Sequence, residues 1–155
     1  RLQDPDSRLF WDNIGVDGKV EKTQWTYNTA LPLRCLIEQG RSGDAAALAE
    51  AKRIAESAVR KWVEPNTGAL LDEASFAHHL ADALYELSAA TGEDRWRQIA
   101  DRSVRTVWDR ARLPDGLFGL RWDGTRTDRD ERRLLLFTAS AARGFYSAAQ
   151  AARGR

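Results

Sequence analysis

Two copies of one pattern occupy the 155-residue chain and constrain its fold more than any other feature. A short polar turn at Gly43 recurs 49 residues later at Gly92. A longer turn-rich loop around Gly68 recurs 48 residues later around Gly116. A period of this length is typical of stacked supersecondary units, none of which can bury its apolar surface alone. The chain is therefore expected to be a row of similar units.

The segments between these turns have the apolar periodicity of amphipathic helices. The pattern predicts five helices, at residues 28–39, 45–62, 75–90, 94–112 and 131–152. The second and fourth have one charged face and are assigned to an outer layer, whereas the other three are more apolar and form an inner layer. Each unit is then an antiparallel helical hairpin, and the fold is all-α. In a closed ring of such hairpins, all the long loops lie at one end and form the natural binding face.

Individual residues refine this assignment. Pro32 is tolerable in the first helix only near its first turn. Cys35 in the same helix is expected to be a small buried apolar residue. Trp62, Trp96 and Trp108 fall on the apolar stripes of the outer helices and are expected in the core. The fifth helix is apolar around most of its circumference, so we expect it to be buried on more than one side.

The chain is expected to form a single helical-hairpin repeat domain over residues 1–155. An N-terminal loop region covers 1–25, the first hairpin 26–71, the second hairpin with its loop 72–128, and the final helix 129–155. The Leu-Phe-Trp-Asp run at 9–12 looks like the long loop of a preceding hairpin, by analogy with residues 117–122.

Composition excludes several classes of function. The 24 Lys and Arg residues balance 23 Asp and Glu, and the two signs are interleaved, so nucleic acid is not an expected partner. No apolar run approaches the roughly 20 residues of a membrane span. A single cysteine excludes an internal disulfide and a cysteine-based zinc cluster. No phosphate-binding loop or dinucleotide fingerprint occurs, so no cofactor and no metal are expected. No signal peptide is present in these residues, and both a secreted and a cytoplasmic location stay open.

Several short motifs together resemble a known family. They are Leu-Phe-Trp-Asp-Asn-Ile at 9–14, Trp-Thr-Tyr-Asn at 25–28, Ser-Gly-Asp at 42–44, Gly-Ala-Leu-Leu-Asp-Glu at 68–73 and Asp-Gly-Leu-Phe-Gly at 115–119. In this order and spacing they resemble the C-terminal half of glycoside hydrolase family 76, the bacterial and fungal α-1,6-mannanase-type proteins. The resemblance implies an (α/α)₆-type toroid, in which six hairpins close into a ring with a glycan cleft at one end.

The sequence departs from the family at its catalytic pair. In the family this pair is an Asp-Asp dipeptide on an inner helix of the N-terminal half, and no such dipeptide occurs here. Five helices supply about two and a half of the six hairpins, so the toroid is expected to be partial. Its two open apolar edges are expected to be covered by a second chain or by a segment preceding Arg1. The first residue and the absence of methionine agree with this expectation. Catalytic residues are therefore not assigned.

Candidate site residues are chosen for the chemistry of sugars, which need flat aromatic faces and well-placed polar groups. The candidates for substrate binding are Trp11, Asp12, Trp25, Tyr27, Asn28, Glu73, His78 and Trp122. Trp25 and Tyr27 fit a cleft wall or a core plug equally well, and Asn28 fits a helix cap. Asp72 and Glu73 are an adjacent carboxylate pair that fits either substrate contact or the cap of the third helix.

The adjacent residues His78 and His79 point about 100° apart on a helix, so they cannot chelate one metal ion together. One is expected to face the ring interior near the cleft, and the other to pack or to meet Asp82.

The leading hypothesis is a glycan-processing protein similar to the α-1,6-mannanases, with an oligosaccharide or polysaccharide as partner. Two alternatives stay open. The first is a non-enzymatic helical repeat module that binds a glycan or a protein through its loop face. The second is another helical-toroid sugar enzyme, of the epimerase or unsaturated-uronide hydrolase type, which a catalytic role for the region of His78 would favour.

Overall fold

The computed structural model describes residues 2–125 and 131–153, with the side chains of 131–133 excepted. In that part of the chain, the helices are α1 (Thr26–Arg41), α2 (Ala45–Trp62), α3 (Ala74–Thr91), α4 (Asp94–Thr106) and α5 (Glu131–Arg153). A short antiparallel ribbon pairs β1 (Asn13–Ile14) with β2 (Val20–Glu21). None of these helices is long and apolar enough to cross a membrane.

The helices form two layers, as predicted. α3 packs against α1 on one side and against α5 on the other, so these three make the inner row. α2 packs on α1 and α4 packs on α3, which makes each inner–outer pair an antiparallel hairpin. The fully buried residues lie between the layers and include Leu33, Ile37, Ile54, Leu80, Leu87 and Trp96. The prediction of an all-α fold of helical hairpins is confirmed.

Helix ends that depend on local signals lie where the sequence predicts them. α2 covers the predicted residues 45–62, because the Asp44 side chain accepts the Ala47 N–H at 2.9 Å and caps the helix. α3 ends at Gly92, whose φ of +72° gives the left-handed cap that favours glycine. In both cases the residues that define the end lie within one turn of it.

The start of α1 differs from the prediction, because its cap comes from a distant part of the chain. The helix begins at Thr26, whose N–H donates to Asp72 Oδ2 at 2.8 Å. Asn28 Oδ1 accepts the Trp25 N–H at 3.0 Å and extends the same start. Pro32 therefore lies inside the helix rather than in its first turn, so the expectation for this residue is wrong.

The end of α4 also differs from the prediction. Residues 94–106 are α-helical, but Val107–Ala111 form a π-helical turn. A wider turn changes the direction in which the following side chains point. Trp108 is consequently 52% exposed, and its predicted place in the core is wrong, whereas Trp62 and Trp96 are buried as expected.

Two expectations about the ends of the inner row are also wrong. Cys35 on α1 is exposed, not buried. α5 is buried on one side only, since Leu135, Leu136 and Tyr146 are 72%, 51% and 56% exposed. Both exposures have the same cause. α1 and α5 are the first and last inner helices, so each has described neighbours on one side only.

The loops that lead into the three inner helices repeat one hydrogen-bond pattern. Each is closed by an isolated antiparallel bridge, and the bridges are Gln3–Phe10, Val63–Leu70 and Arg112–Phe118. Each contains one residue with positive φ shortly before the second bridge residue: Arg8 at +66°, Gly68 at +77° and Gly116 at +85°. The backbone thus shows the similarity that the sequence predicts between residues 9–12 and residues 117–122.

The Gly68 position provides a test of this loop geometry. A Cβ at Gly68 would lie 2.9 Å from Arg102 Cβ, whereas a Cβ at Gly92 would meet nothing within 4 Å. Gly92→Ala should therefore lower the free energy of unfolding by about 1–2 kcal/mol, the cost of left-handed backbone for an L residue. Gly68→Ala should cost at least about 1 kcal/mol more, because the added methyl group is also overpacked.

Urea unfolding of both variants measures the difference between them. Equal losses of stability would show that the loop does not pack on α4 as described.

Candidate functional site

The inner helices begin at one end of the molecule, and four of the predicted sugar-binding residues meet there. Asp12 follows the first loop, while Trp25, Tyr27 and Asn28 belong to the start of α1. With Trp11 and one residue of α3, they form a group that we name the loop-end cluster: Trp11, Asp12, Trp25, Tyr27, Asn28 and Phe76.

Asp12 is the polar centre of the loop-end cluster. Its Oδ1 accepts the Tyr27 O–H at 2.7 Å and an Asn28 side-chain N–H at 3.1 Å, and its Oδ2 accepts an Asn13 side-chain N–H at 2.8 Å. These bonds, that of Tyr27 first, lower the pKa of Asp12 below its ordinary value. The carboxylate is therefore ionised at neutral pH, which suits a hydrogen-bond acceptor and does not suit a general acid.

An aromatic group adjoins this carboxylate. The Phe76 ring lies 4.9 Å from the Tyr27 ring and 5.5 Å from the Trp25 ring, with tilted planes in both pairs. All three side chains are partly exposed. Phe76 belongs to the cluster but is not among the predicted candidates, because in sequence it is one of several apolar residues that line one face of the third helix. The signal was its position in the first turn of an inner helix, where a residue of that stripe reaches the loop end.

Trp11 precedes Asp12 in the chain and lies beside Lys22, which follows the β1–β2 ribbon. The Lys22 ammonium lies 5.1 Å from the centre of the Trp11 ring, within cation–π range. The Asp12 N–H donates to the Glu21 carbonyl at 3.1 Å, which fixes Asp12 against the ribbon. The end of the ribbon therefore contacts both Trp11 and Asp12.

The Asn28 side chain makes two hydrogen bonds, and one of them is the helix cap that the sequence predicts. Its side-chain oxygen caps α1 through the Trp25 N–H, and its side-chain nitrogen donates to Asp12. The amide is therefore held in one orientation, with its donor directed at the carboxylate.

The carboxylate pair of Asp72 and Glu73 acts differently from the prediction. Asp72 does not cap α3 alone; its Oδ2 accepts both the N–H and the O–H of Thr26, each at 2.8 Å, and so caps α1 of the preceding hairpin. Its Oδ1 accepts the Glu73 N–H at 2.8 Å. Glu73 immediately precedes α3, and its backbone pairs with Arg121 in an isolated bridge.

The two histidines do not diverge as expected. Their rings lie 4.0 Å apart with an interplanar angle of 35°, because side-chain rotation brings them together although their Cβ atoms point apart. Burial lowers the pKa of both imidazoles. Within the described residues, Asp82 accepts hydrogen bonds from Arg143 and Ser147 on α5 rather than from a histidine. His78 contacts the Ala74 carbonyl of its own helix at 3.3 Å.

Trp122 lies in the core, which corrects its assignment to the sugar-binding surface. Its side chain is 1% exposed, and a Cβ at Gly144 of α5 would lie 3.0 Å from the ring. The chain turns beneath α5 after the third loop, so the indole has no open face.

The loop-end cluster combines an ionised acceptor, a fixed amide and four partly exposed aromatic rings. This combination is suited to binding a neutral ligand with hydroxyl groups and apolar faces. In the described part of the chain, no three His, Cys, Asp or Glu side chains converge in a way that could hold a metal ion.

Sequence comparison leaves the family of the chain open. No known family profile matches the sequence, and no curated protein matches it. Structural comparison does find similar folds among solved proteins, at low sequence identity.

Three solved structures illustrate the likeness. The family 76 α-mannanase BT2949 of Bacteroides thetaiotaomicron has a TM-score of 0.85 and 23% identity, over 98% of this chain and 42% of that one. The α-1,6-mannanase of Salegentibacter sp. HEL1_6, in an inactive variant complexed with α-1,6-mannotriose, has a TM-score of 0.79 and 21% identity, over 97% and 48%. The Lin0763 protein of Listeria innocua has a TM-score of 0.77 and 18% identity, over 99% and 46%.

The chain thus spans less than half the length of the structures that it matches. Nearly all of it superposes on them, which confirms the expected partial (α/α) toroid. In fold, the chain resembles the α-mannanases of glycoside hydrolase family 76.

Proposed function

We propose that this chain forms part of the glycan-binding cleft of a family 76-type glycoside hydrolase and binds α-1,6-linked mannose. The observation that carries the proposal is the loop-end cluster, where an ionised Asp12 adjoins the rings of Tyr27 and Phe76. Support comes from the fold, because inactive variants of an α-1,6-mannanase with the same fold were solved with α-1,6-mannotriose and a tetrameric mannooligosaccharide.

The acceptor capacity of Asp12 supports a sugar hydroxyl as the bound group. A carboxylate offers about four lone-pair sites, two on each oxygen. Tyr27 and Asn28 occupy both sites of Oδ1, and Asn13 occupies one site of Oδ2. Within the described part of the chain no further donor reaches Oδ2, so one of its sites can accept a sugar O–H while the sugar C–H face packs on the aromatic rings.

The charge of the cluster favours a neutral sugar over a uronate. Asp12 is ionised, and Glu21 lies close enough for the two carboxylates to repel each other. A third carboxylate, on the ligand, would add to this repulsion. The site therefore fits mannan better than the substrate of an unsaturated-uronide hydrolase.

We place the catalytic carboxylates outside these 155 residues. The sequence holds no Asp-Asp dipeptide, and the low pKa of Asp12 does not suit an acid. Further polypeptide that completes the toroid would also cover the two apolar edges, at Leu31 on α1 and at Leu135 and Tyr146 on α5. A second chain or a further segment of the same chain would serve equally.

Titration calorimetry with α-1,6-mannotriose tests the binding site. Asp12→Ala should weaken binding roughly ten- to hundredfold, the usual effect of losing a charged hydrogen-bond acceptor. Asp109→Ala is the matched control, because it removes an exposed aspartate of the outer layer and should leave the affinity unchanged. Equal affinity of Asp12→Ala and the unaltered chain would refute the site.

Hydrolysis is tested separately, by measuring the sugar released from α-1,6-mannan. The chain alone should release none, while the Salegentibacter α-1,6-mannanase releases sugar under the same conditions as a positive control. Sugar release by the 155-residue chain, retained in Asp12→Ala, would show that it contains a catalytic pair that we have not identified.

The pH dependence of binding follows from the pKa of Asp12. Hydrogen bonds lower this pKa, so the ionised acceptor persists above it and is lost only as the pH falls through the lowered value. Affinity for mannotriose should therefore be constant between about pH 8 and pH 5 and should fall only in more acidic solution. A decline between pH 8 and pH 5 would mean that another group controls binding.

A further inference from the structure

The start of α1 and the start of α3 share one buried carboxylate. Asp72 is 3% exposed, and Thr26, its partner, is fully buried. The carboxylate accepts three hydrogen bonds of 2.8 Å: the N–H and the O–H of Thr26, and the N–H of Glu73. Three donors on a buried carboxylate hold it in one orientation.

This carboxylate adds to the cap that Asn28 provides from within α1. The first turn of α1 holds no acidic residue, and the side chain of Trp25, which precedes the helix, provides no cap. A negative charge is favourable at a helix N-terminus, where backbone N–H groups point outward. Asp72 places its carboxyl oxygens at this helix start from the loop of the next hairpin.

The hydrogen bonds between Asp72 and Thr26 lie next to particular residues of the loop-end cluster, and this position determines which of them they affect. Thr26 lies between Trp25 and Tyr27 in the chain, and Phe76 lies in the first turn of the helix that begins just after Asp72. The rings of Trp25 and Tyr27 meet that of Phe76 across this junction, at 5.5 Å and 4.9 Å. A shift of one helix start against the other would separate them directly.

We infer that Asp72 is a positioning residue, which acts through Thr26 to hold Trp25 and Tyr27 against Phe76 and so shapes the sugar-binding surface. Asp72 itself is buried and does not touch the ligand. The consequence for binding rests on the proposed function, whereas the consequence for the ring geometry does not.

The test uses Thr26→Val, which removes the O–H donor and retains the shape of the side chain and the backbone N–H. Thr26→Ser retains the donor and should rescue the behaviour of the unaltered chain. Thr106→Val is the matched control, because Thr106 is a buried residue that donates its O–H to the Thr67 carbonyl at 2.8 Å, in the second hairpin. Like Thr26→Val, the Thr106→Val substitution removes a hydrogen bond between a helix side chain and a loop.

Two readouts are measured for each variant: contacts between the Tyr27 and Phe76 ring protons by nuclear Overhauser effects, and the dissociation constant of α-1,6-mannotriose. Thr26→Val should weaken or lose the ring contacts and bind roughly three- to tenfold more weakly. Thr106→Val should lose comparable stability in urea and keep both the ring contacts and the affinity. Thr26→Ser should keep them as well.

The inference would be overturned if Thr26→Val left both the ring contacts and the affinity unchanged. It would also be overturned if Thr106→Val changed both as much as Thr26→Val does, because the cause would then be a general loss of stability. If the unaltered chain does not bind mannotriose, the proposed function fails. The ring contacts then still decide whether Asp72 positions the cluster.

Discussion

The carboxylate of Asp72 joins the loop ends of two hairpins that also meet through apolar packing and through ion pairs such as Arg34–Glu86. Its three hydrogen bonds start α1, fix the residue before α3 and set the distance between the two helix ends. Similar ties run along the same end: the Phe10 N–H donates to the Thr29 hydroxyl, and the Ala74 N–H to the Leu120 carbonyl. Apolar contacts fix which faces of the helices meet, but they tolerate sliding along the axis. These directional bonds remove that freedom, and the position of every residue at the loop end depends on them.

The rings at the loop end belong at once to the core and to the surface. The sequence alone does not decide whether Trp25 and Tyr27 line a cleft or fill the core. In the structure each ring is partly buried against Phe76 and partly exposed. A ring held in this way loses little conformational freedom when a ligand packs on it, because its position is already fixed. The same reasoning applies to the Asn28 amide, which caps a helix and donates to Asp12.

The sequence predicts those parts of the structure that depend on neighbours along the chain. α2 has the predicted bounds because Asp44 and the apolar stripe are local signals. Asn28 indicates a cap for α1, but the first residue of the helix also depends on Asp72 in another hairpin and could not be predicted. The exposure of Trp108 could not be predicted either, because a single wide turn changes its direction without a clear sequence signal. In the candidate site, aromatic and amide residues next to turns were found from sequence. Phe76 was missed, since an apolar stripe does not show which of its members reaches the end of the helix.

The first of the three repeated loops carries an addition that the second lacks. After the bridge at Phe10 the chain forms the β1–β2 ribbon before it enters α1, whereas after Leu70 it enters α3 almost at once. Residues 13–19 of that ribbon are all exposed, so they contribute nothing to the buried core. The repeat therefore has a place where chain length and sequence can change without cost to the fold, and it lies beside Trp11 and Asp12. Selection for a new ligand can act on this ribbon alone, while the helical frame that supports it stays under selection for stability.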